Sequence, residues 1–304
     1  MAKKTIRVID LFAGCGGLSL GFQKAGFEIA AAYDFWDEAI AIYKRNFDHP
    51  IYKRDLNDID DLSDMEALRP NVIIGGPPCQ DYSSAGHRDE NLGRAQLTIK
   101  YAEIITRIRP QFFLMENVPN IQKSEKLGIV LSMFKEVGYG ITRMVMDASK
   151  CGVPQKRRRY IVIGGLNEND GFLDSLLLEG QSKKSMTLRD YFGDSLEFEY
   201  YFRVPRSYSR RGIFSIDEPS MTIRGVDRPV PSGYSGHPND PIPLNPSIRT
   251  LTPQERSWIQ TFPRDFDWGE GSKTNLNLAI GNAVPVKLAE YIARCLKQYI
   301  NGKK

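Results

Sequence analysis

The sequence contains no apolar run approaching the ~18 residues that a bilayer-spanning helix requires, so no membrane segment is expected. Its four cysteines, Cys15, Cys79, Cys151 and Cys295, form no CxxC pair, and neither a zinc site nor a disulfide framework is indicated. A reducing, cytoplasmic compartment fits that usage. Histidine is scarce: His49, His87 and His237 are the full set, and none lies at a strand edge where it would serve a nucleophilic cysteine, which disfavours a cysteine hydrolase. The opening MAKKTIRVIDLF runs straight into a strand pattern without a signal-peptide cleavage site, and there is no internal repeat or low-complexity tract. The charge lacks a dominant sign, at +4 net, and by itself names no partner.

What is present is more informative. A chain of 304 residues can bury a substantial core in one large or two unequal domains. Basic residues are bunched: Lys150, Lys156, Arg157, Arg158 and Arg159 stand together with no acid between them, and residues 203–228 hold six arginines and no lysine. Clustered arginine suits phosphate and base-edge contacts, while a solvated basic face is the plainer alternative.

Residues 5–12 read as a first strand, followed by the tight turn Ala13-Gly14-Cys15-Gly16-Gly17 and a helix to about Gly26. A glycine turn between strand and helix is a nucleotide-binding signal, although Ser19 stands where the third glycine of the dinucleotide fingerprint belongs. Asp10, at the strand tip, would repel a pyrophosphate and suit a cationic ligand. The second strand ends in Asp34-Phe35: an acid ~20 residues beyond the turn suits a ribose hydroxyl, and an aromatic beside it can stack on adenine. Asp55-Leu56 ends a third strand. A fourth, Asn71 to Ile74, breaks into Gly75-Gly76-Pro77-Pro78 and then Cys79, within GGPPCQDYS. Two prolines lower the entropy cost of aiming one side chain, so nucleophile and buried bystander are both open at Cys79 on local grounds. A helical face at Leu97, Tyr101, Ile104, Ile105 and Ile108 leads to a strand at 111–115 that delivers Glu116-Asn117-Val118. Strands are expected at 141–148 and 158–165, with alternation sending Arg157 and Arg159 to one side and Arg158 to the other. Residues 166–248 lose periodicity. Thr252 with Glu255 marks an N-capped helix, and a last amphipathic helix runs from about Val286 to Ile300.

Taken in order, DLFAGCGG at 10–17, Asp34-Phe35, Asp55-Leu56, GGPPCQDYS at 75–83, ENV at 116–118, QKRRR at 155–159, RTLTPQE at 249–255 and GNAVP at 281–285 resemble the DNA (cytosine-5) methyltransferases of bacterial restriction-modification systems. Two departures from that pattern are Tyr82, where phenylalanine is usual, and Leu92, where aspartate is usual. The resemblance implies an α/β fold. A Rossmann-like S-adenosylmethionine-dependent large domain would cover 1–180 and 276–304, and a smaller irregular target-recognition domain would cover 181–275. It implies S-adenosylmethionine held by Phe12, Gly14, Gly16, Asp34, Phe35, Asp55, Leu56, Pro77 and Asn282, catalysis by Cys79, Glu116, Arg159 and Arg157, and no metal. Double-stranded DNA would be met by Gln80, Ser83, Arg203, Arg210, Arg211, Thr222, Arg224 and Arg228, with Arg206 a further candidate. A cytoplasmic monomer that protects host DNA, paired with a restriction endonuclease acting at the same site, is the corresponding setting. The segment RRGIFSIDEPSMTIRGVDRP is similar to recognition domains that read CG-containing sites such as CCGG.

Chemistry agrees with that assignment. Carbon-5 of cytosine is too electron-poor to accept a methyl cation equivalent until a nucleophile adds at carbon-6. A thiolate can attack and later leave, but a free cysteine, with pKa about 8.5, needs positive potential to ionise. Glu116, protonated by burial, would donate to ring nitrogen-3; Arg159 would hold the carbonyl oxygen, and Arg157 would serve Glu116 or the thiolate. None of these groups reaches a stacked base, so the cytosine must be flipped out. Two alternatives share the scaffold. One is an RNA cytosine-5 methyltransferase, whose Cys-Phe-Thr element is missing here; the other is an inert DNA-binding regulator, which would not need Cys79, Glu116 and Arg159 together.

Overall fold

The computed structural model describes residues 5–78, 96–205 and 210–303. In chain order its elements are β1 (Arg7–Leu11), α1 (Gly17–Lys24), β2 (Glu28–Asp34), α2 (Asp37–Asn46), β3 (Ile51–Lys53), α3 (Ser63–Ala67), β4 (Val72–Gly75), α4 (Gln96–Ile108), β5 (Phe112–Asn117), α5 (Glu125–Glu136), β6 (Tyr139–Asp147), β7 (Gln155–Lys156), β8 (Arg158–Leu166), α6 (Asp174–Glu179), α7 (Leu188–Phe192), β9 (Tyr200–Phe202), β10 (Ile213–Ser215), β11 (Ser220–Met221), α8 (Pro253–Ile259), α9 (Lys273–Asn282) and α10 (Val286–Gly302). The chain divides into two compact units. The first comprises Met1–Asp147, Arg158–Gln181 and Ala289–Lys304; the second comprises Ala148–Arg157 and Ser182–Leu288.

The first unit is built on a seven-stranded sheet of order β3-β2-β1-β4-β5-β8-β6. The pairs β1–β2, β2–β3, β1–β4 and β4–β5 are parallel, and β8 runs antiparallel to both its neighbours. Its central strands read as continuous apolar runs because both faces are covered. On one face Ile9, Leu11, Ile73, Phe113 and Met115 pack with Tyr101, Ile104 and Ile105 of α4 and Leu127, Val130 and Phe134 of α5. On the other, Phe112 meets Tyr299 of α10 edge-on, and Lys297 of the same helix donates to the carbonyls of Ala25 and Gly26 at the end of α1. Lys297 and Tyr299 thus anchor the C-terminal helix on this unit, where its apolar stripe finds a core to cover.

β5 is longer than its apolar run suggests. It continues through Glu116 and Asn117, because β8 pairs with it as far as Glu116↔Ile161 and Asn117↔Tyr160. The polar end of the strand is therefore held in the sheet and not in a free loop.

The second unit has little regular structure. A two-stranded antiparallel ribbon, β9 with β10, carries a small core of Phe202, Ile213, Tyr234 and Ile248. β7 pairs in parallel with β11. The N-terminal capping box expected at Thr252 and Glu255 opens α8. Residues 276–288, assigned to the large domain from the sequence pattern, and Ala148–Arg157 are grouped here. Polar side chains explain that grouping. Gln155 donates to Gln260 at 2.8 Å and accepts from the Ile223 amide at 2.9 Å, and Gln260 donates to the carbonyl of Ile280 at 2.7 Å.

Gly281 is the closest approach in this knot. A Cβ there would overlap the Gly225 amide and the Arg224 carbonyl carbon, which are backbone atoms and cannot swing aside. Gly281→Ala is expected to lower the unfolding free energy by roughly 1–3 kcal/mol, read from urea midpoints at unchanged m-value. Wild-type stability in that variant would mean the backbones are less tightly apposed.

Candidate active site

Strand order reverses at β1, which has β2 on one side and β4 on the other. In open α/β sheets the crevice beyond the carboxyl ends at such a reversal is where ligands bind. The sequence motifs fall along this edge. Just past β1, Phe12 takes a left-handed φ of 57°, unusual for a bulky residue, and Gly14 and Gly16 follow at 57° and 93°. A Cβ on Gly14 would meet nothing within 4 Å, so this turn faces open space. Gly16 is glycine for a different reason: a Cβ there would strike Phe47 and Tyr43.

Asp34, at the end of β2, organises the turn from across the sheet. One carboxylate oxygen accepts from the Gly14 amide at 2.7 Å, and the other from the amides of Phe35 and Trp36 at 2.8 and 2.9 Å. Burial raises its pKa, and these three amides pull it back. Three donors leave acceptor capacity for one more, such as a sugar hydroxyl. Phe35 is 63% exposed, a large flat apolar face beside that carboxylate. Asp55 is exposed, and one of its carboxylate oxygens accepts from the amide of Asn57 at 2.9 Å and from its side chain at 3.0 Å. Leu56 buries its side chain in the apolar core, which leaves its backbone to face a ligand. An open glycine cradle, a carboxylate with acceptor capacity and an exposed aromatic ring fit a nucleoside-bearing cofactor such as S-adenosylmethionine.

Asp10 is also corrected. It does not face a ligand but is fully buried, accepting from the Ser19 amide at 3.1 Å and the Ser19 hydroxyl at 2.6 Å. Ser19 lies in the first turn of α1, whose own N-cap, Gly16, has no side chain to offer, so Asp10 satisfies the helix terminus from the strand. The network continues: Tyr43 donates to Ser19 at 2.7 Å, and its hydroxyl lies 2.6 Å from Nε2 of His49.

The second cluster forms where β4 and β5 end side by side. Gly75 pairs with Met115, which puts Glu116 next to Gly76 one step further on. A Cβ on Gly76 would lie 3.4 Å from the Glu116 carboxylate. Asn117 donates to the Pro77 carbonyl at 3.1 Å, fastening the Gly-Gly-Pro-Pro turn to β5. Beneath both strands, the Tyr101 hydroxyl donates to the Leu114 carbonyl at 2.8 Å. Arg159, on β8, places its Nε 2.6 Å from Glu116 with both side chains nearly buried. A largely desolvated carboxylate–guanidinium pair at the mouth of a sheet is a strong local dipole. The role of Asn117 is missed by sequence reasoning, because a hydrogen bond spanning 40 residues leaves no local pattern.

Arg157 departs from the alternation expected with Arg159. β7 ends at Lys156 and β8 begins at Arg158, so Arg157 belongs to neither strand. It is almost fully buried in the second unit and donates to the carbonyls of Ile223 at 2.9 Å, Gly281 at 3.0 Å and Ala283 at 2.9 Å. The partner of Glu116 is Arg159, and Arg157 fastens backbone. Thr222, expected at DNA, donates to the Lys156 carbonyl at 2.7 Å. Arg203 and Arg224 donate to the carbonyls of Thr222 and Val204, and Arg211 pairs with Glu218 over the ring of Phe214. Arg210, Arg228 and Asn282 are exposed.

Cys79, Gln80, Ser83, Tyr82, Leu92 and Arg206 lie outside the described residues. The described chain reaches Pro78, one residue before Cys79. The other three cysteines are buried, and burial pushes the Cys15 thiol up to about 12. Among the described residues no cluster of side chains has the make-up of a metal site, and no helix is long and apolar enough to cross a membrane.

The fold and this edge define a doubly wound α/β enzyme with a ligand turn after its first strand and a carboxylate–arginine pair beside its fourth. The sequence matches the family description "C-5 cytosine-specific DNA methylase" over residues 6–298. It is 53% identical over 293 residues to the type II methyltransferase M.HindV of Haemophilus influenzae, covering 96% of each chain. It is 51% identical to the type II methyltransferase M.HgiDI of Herpetosiphon aurantiacus, covering 97% of this chain and 96% of the relative. The fold is similar to that of the S. pombe Dnmt2 methyltransferase, with TM-score 0.74 at 18% identity over 97% of this chain and 99% of the other. The protein belongs to the C-5 cytosine-specific DNA methylases.

The buried Asp10 yields a pH prediction. Burial pushes its pKa up from 3.8 to about 7, against the pull of the Ser19 bonds. The native state therefore binds this proton more tightly than the unfolded chain does, and the associated stability is full below pH 4 and lost as pH rises through 7. Asp10→Asn, which keeps an acceptor without the charge, should remove that decline. The wild-type minus variant difference in unfolding free energy is expected to fall by a few kcal/mol, to order of magnitude, between pH 4 and 8. A flat difference would mean Asp10 is ionised throughout.

Proposed function

We propose that this methylase acts on a cytosine flipped out of duplex DNA, using Cys79 as the nucleophile, at a short specific site within a restriction-modification system whose host DNA it protects. The observation that carries the reading is the placement of Glu116. It sits beside Gly76, three residues before Cys79, in an ion pair with Arg159. The burial of the other three cysteines leaves Cys79 as the candidate thiol.

In this reading the Cys79 thiolate bonds to carbon-6 of the ring. The displaced electron pair runs toward nitrogen-3 and the carbonyl oxygen, where Glu116, having first taken up a proton, passes it to nitrogen-3 and Arg159 gives a hydrogen bond. Carbon-5, now enamine-like, takes the methyl group. Loss of the carbon-5 proton to a base then expels the thiolate, and nitrogen-3 returns its proton to Glu116 as the neutral aromatic ring is restored. S-Adenosylmethionine, when bound, supplies the methyl group as a sulfonium electrophile. Gly14, Asp34 and Phe35 would hold it, with the turn at Phe12 and Gly16 shaping the cradle and Asp55 and Pro77 at its margins. Asn117 keeps the Pro77 turn against β5. The second unit would supply target recognition, with Gln80 and Ser83 meeting DNA beside the flipped base. A monomer is the proposed state, with a cognate endonuclease at the same site.

Cys79→Ala should abolish transfer of a labelled methyl group to plasmid DNA while leaving cofactor and DNA affinity largely intact. Glu116→Gln should slow transfer by about 10²–10⁴-fold. Bisulfite sequencing of DNA from cells expressing the protein gives the modified base and its context together. Labelling of tRNA in place of plasmid would transfer the reading to RNA, and residual transfer by the alanine variant would end the thiolate mechanism.

A further inference from the structure

The arginines of the second unit divide by what they already hold. Arg203, Arg211 and Arg224 are engaged with Thr222, Glu218 and Val204. Arg228 is exposed and, among the described residues, makes no hydrogen bond or ion pair. Two residues earlier, Val226 is 67% exposed, the most exposed large apolar side chain among the described residues. A single exposed valine is ordinary on any surface. The backbone on which this one stands is not.

Residues 223–227 are held from beneath by two buried guanidinium groups. Arg157 takes the Ile223 carbonyl. Arg256, 4% exposed, donates to the Arg224 carbonyl and pairs with Asp227 at 3.2 Å. Gly225 is pressed against Leu278, so that a Cβ there would stand 2.7 Å from its methyl group. Burying two arginines is costly, and the burial lowers the pKa of Arg256 despite its acidic partner. That expense fixes a segment whose tip carries no core residue. Pre-ordering pays the entropy of binding in advance, which is useful where the tip must meet a partner in one geometry.

From this we infer that Val226 and Arg228 are specificity-determining residues that read base edges of the DNA site, with Asp227 and Arg256 as their positioning pair. An apolar side chain suits a thymine methyl group, and a free guanidinium suits the paired acceptors of guanine. The inference rests on the DNA-methylating function proposed above and narrows its recognition surface to one turn.

The test is methylation of a plasmid library with randomised positions around the target, read by bisulfite sequencing as a preference at each position. Val226→Ala and Arg228→Gln should each relax the preference at one or two positions by roughly tenfold, leaving the remaining positions, the melting temperature and the cofactor affinity as in wild type. Asp227→Asn should blur the same positions. Wild-type preferences in both surface variants would overturn the inference. So would a uniform fall across all sequences with a shallower salt dependence, the mark of a phosphate contact. A wild-type protein that methylates no cytosine in the library would instead overturn the proposed function.

Discussion

Parallel pairing around β1 is the constraint from which the first unit follows. Because β2 and β4 flank the same strand in the same direction, the chain leaves all three at one edge. β5 joins in parallel, and its pairing with antiparallel β8 carries it two residues past its apolar run. Glycine turn, Asp34, Gly-Gly-Pro-Pro turn and Glu116 are then neighbours without any of them being close in sequence. Slip the β4–β5 register by one residue and Glu116 would exchange faces, away from the turn that leads to Cys79.

Buried polar groups do different work in the two units. In the first they tie strand ends to turns: Asp34 holds the Gly14 amide, Asn117 the Pro77 carbonyl, and Asp10 the open end of α1. These bonds shape the glycine turn after β1 and the Gly-Gly-Pro-Pro turn after β4. In the second they add to the core. Beside the four side chains behind the ribbon, Phe262, Phe266 and Trp268 pack together, and Arg157, Arg256, Gln155 and Gln260 cross-link backbone segments far apart in sequence. A unit held by polar clamps can present variable tips without disturbing its interior.

Much of the sheet's carboxyl edge is legible in the sequence because its signals are local. Apolar runs ending in glycine, proline or an acid mark strand tips, and strand tips in an α/β fold share an edge. The residues misassigned were those whose direction depends on packing. Asp10 and Leu56 sit at the right edge but point inward, one to a helix terminus and the other to the core. Arg157 and Arg159 are two residues apart and serve different units, because the strand breaks between them. The arginines of the second unit could be counted in the sequence but not sorted, since a guanidinium bonded to a carbonyl and one open to solvent have the same local pattern.

The order of hydrophobic strands, the glycine turns and the ENV and Pro-Pro-Cys motifs determined by themselves that the chain forms a doubly wound sheet and that Gly14, Asp34 and Glu116 stand at its carboxyl edge. They suffice because strand periodicity and turn stereochemistry act over a few residues. Which carboxylate meets which arginine, and which arginines stay open to solvent, was decided only in three dimensions. Those pairings depend on sheet register and on backbone segments brought together across more than a hundred residues, as between Arg157 and Gly281.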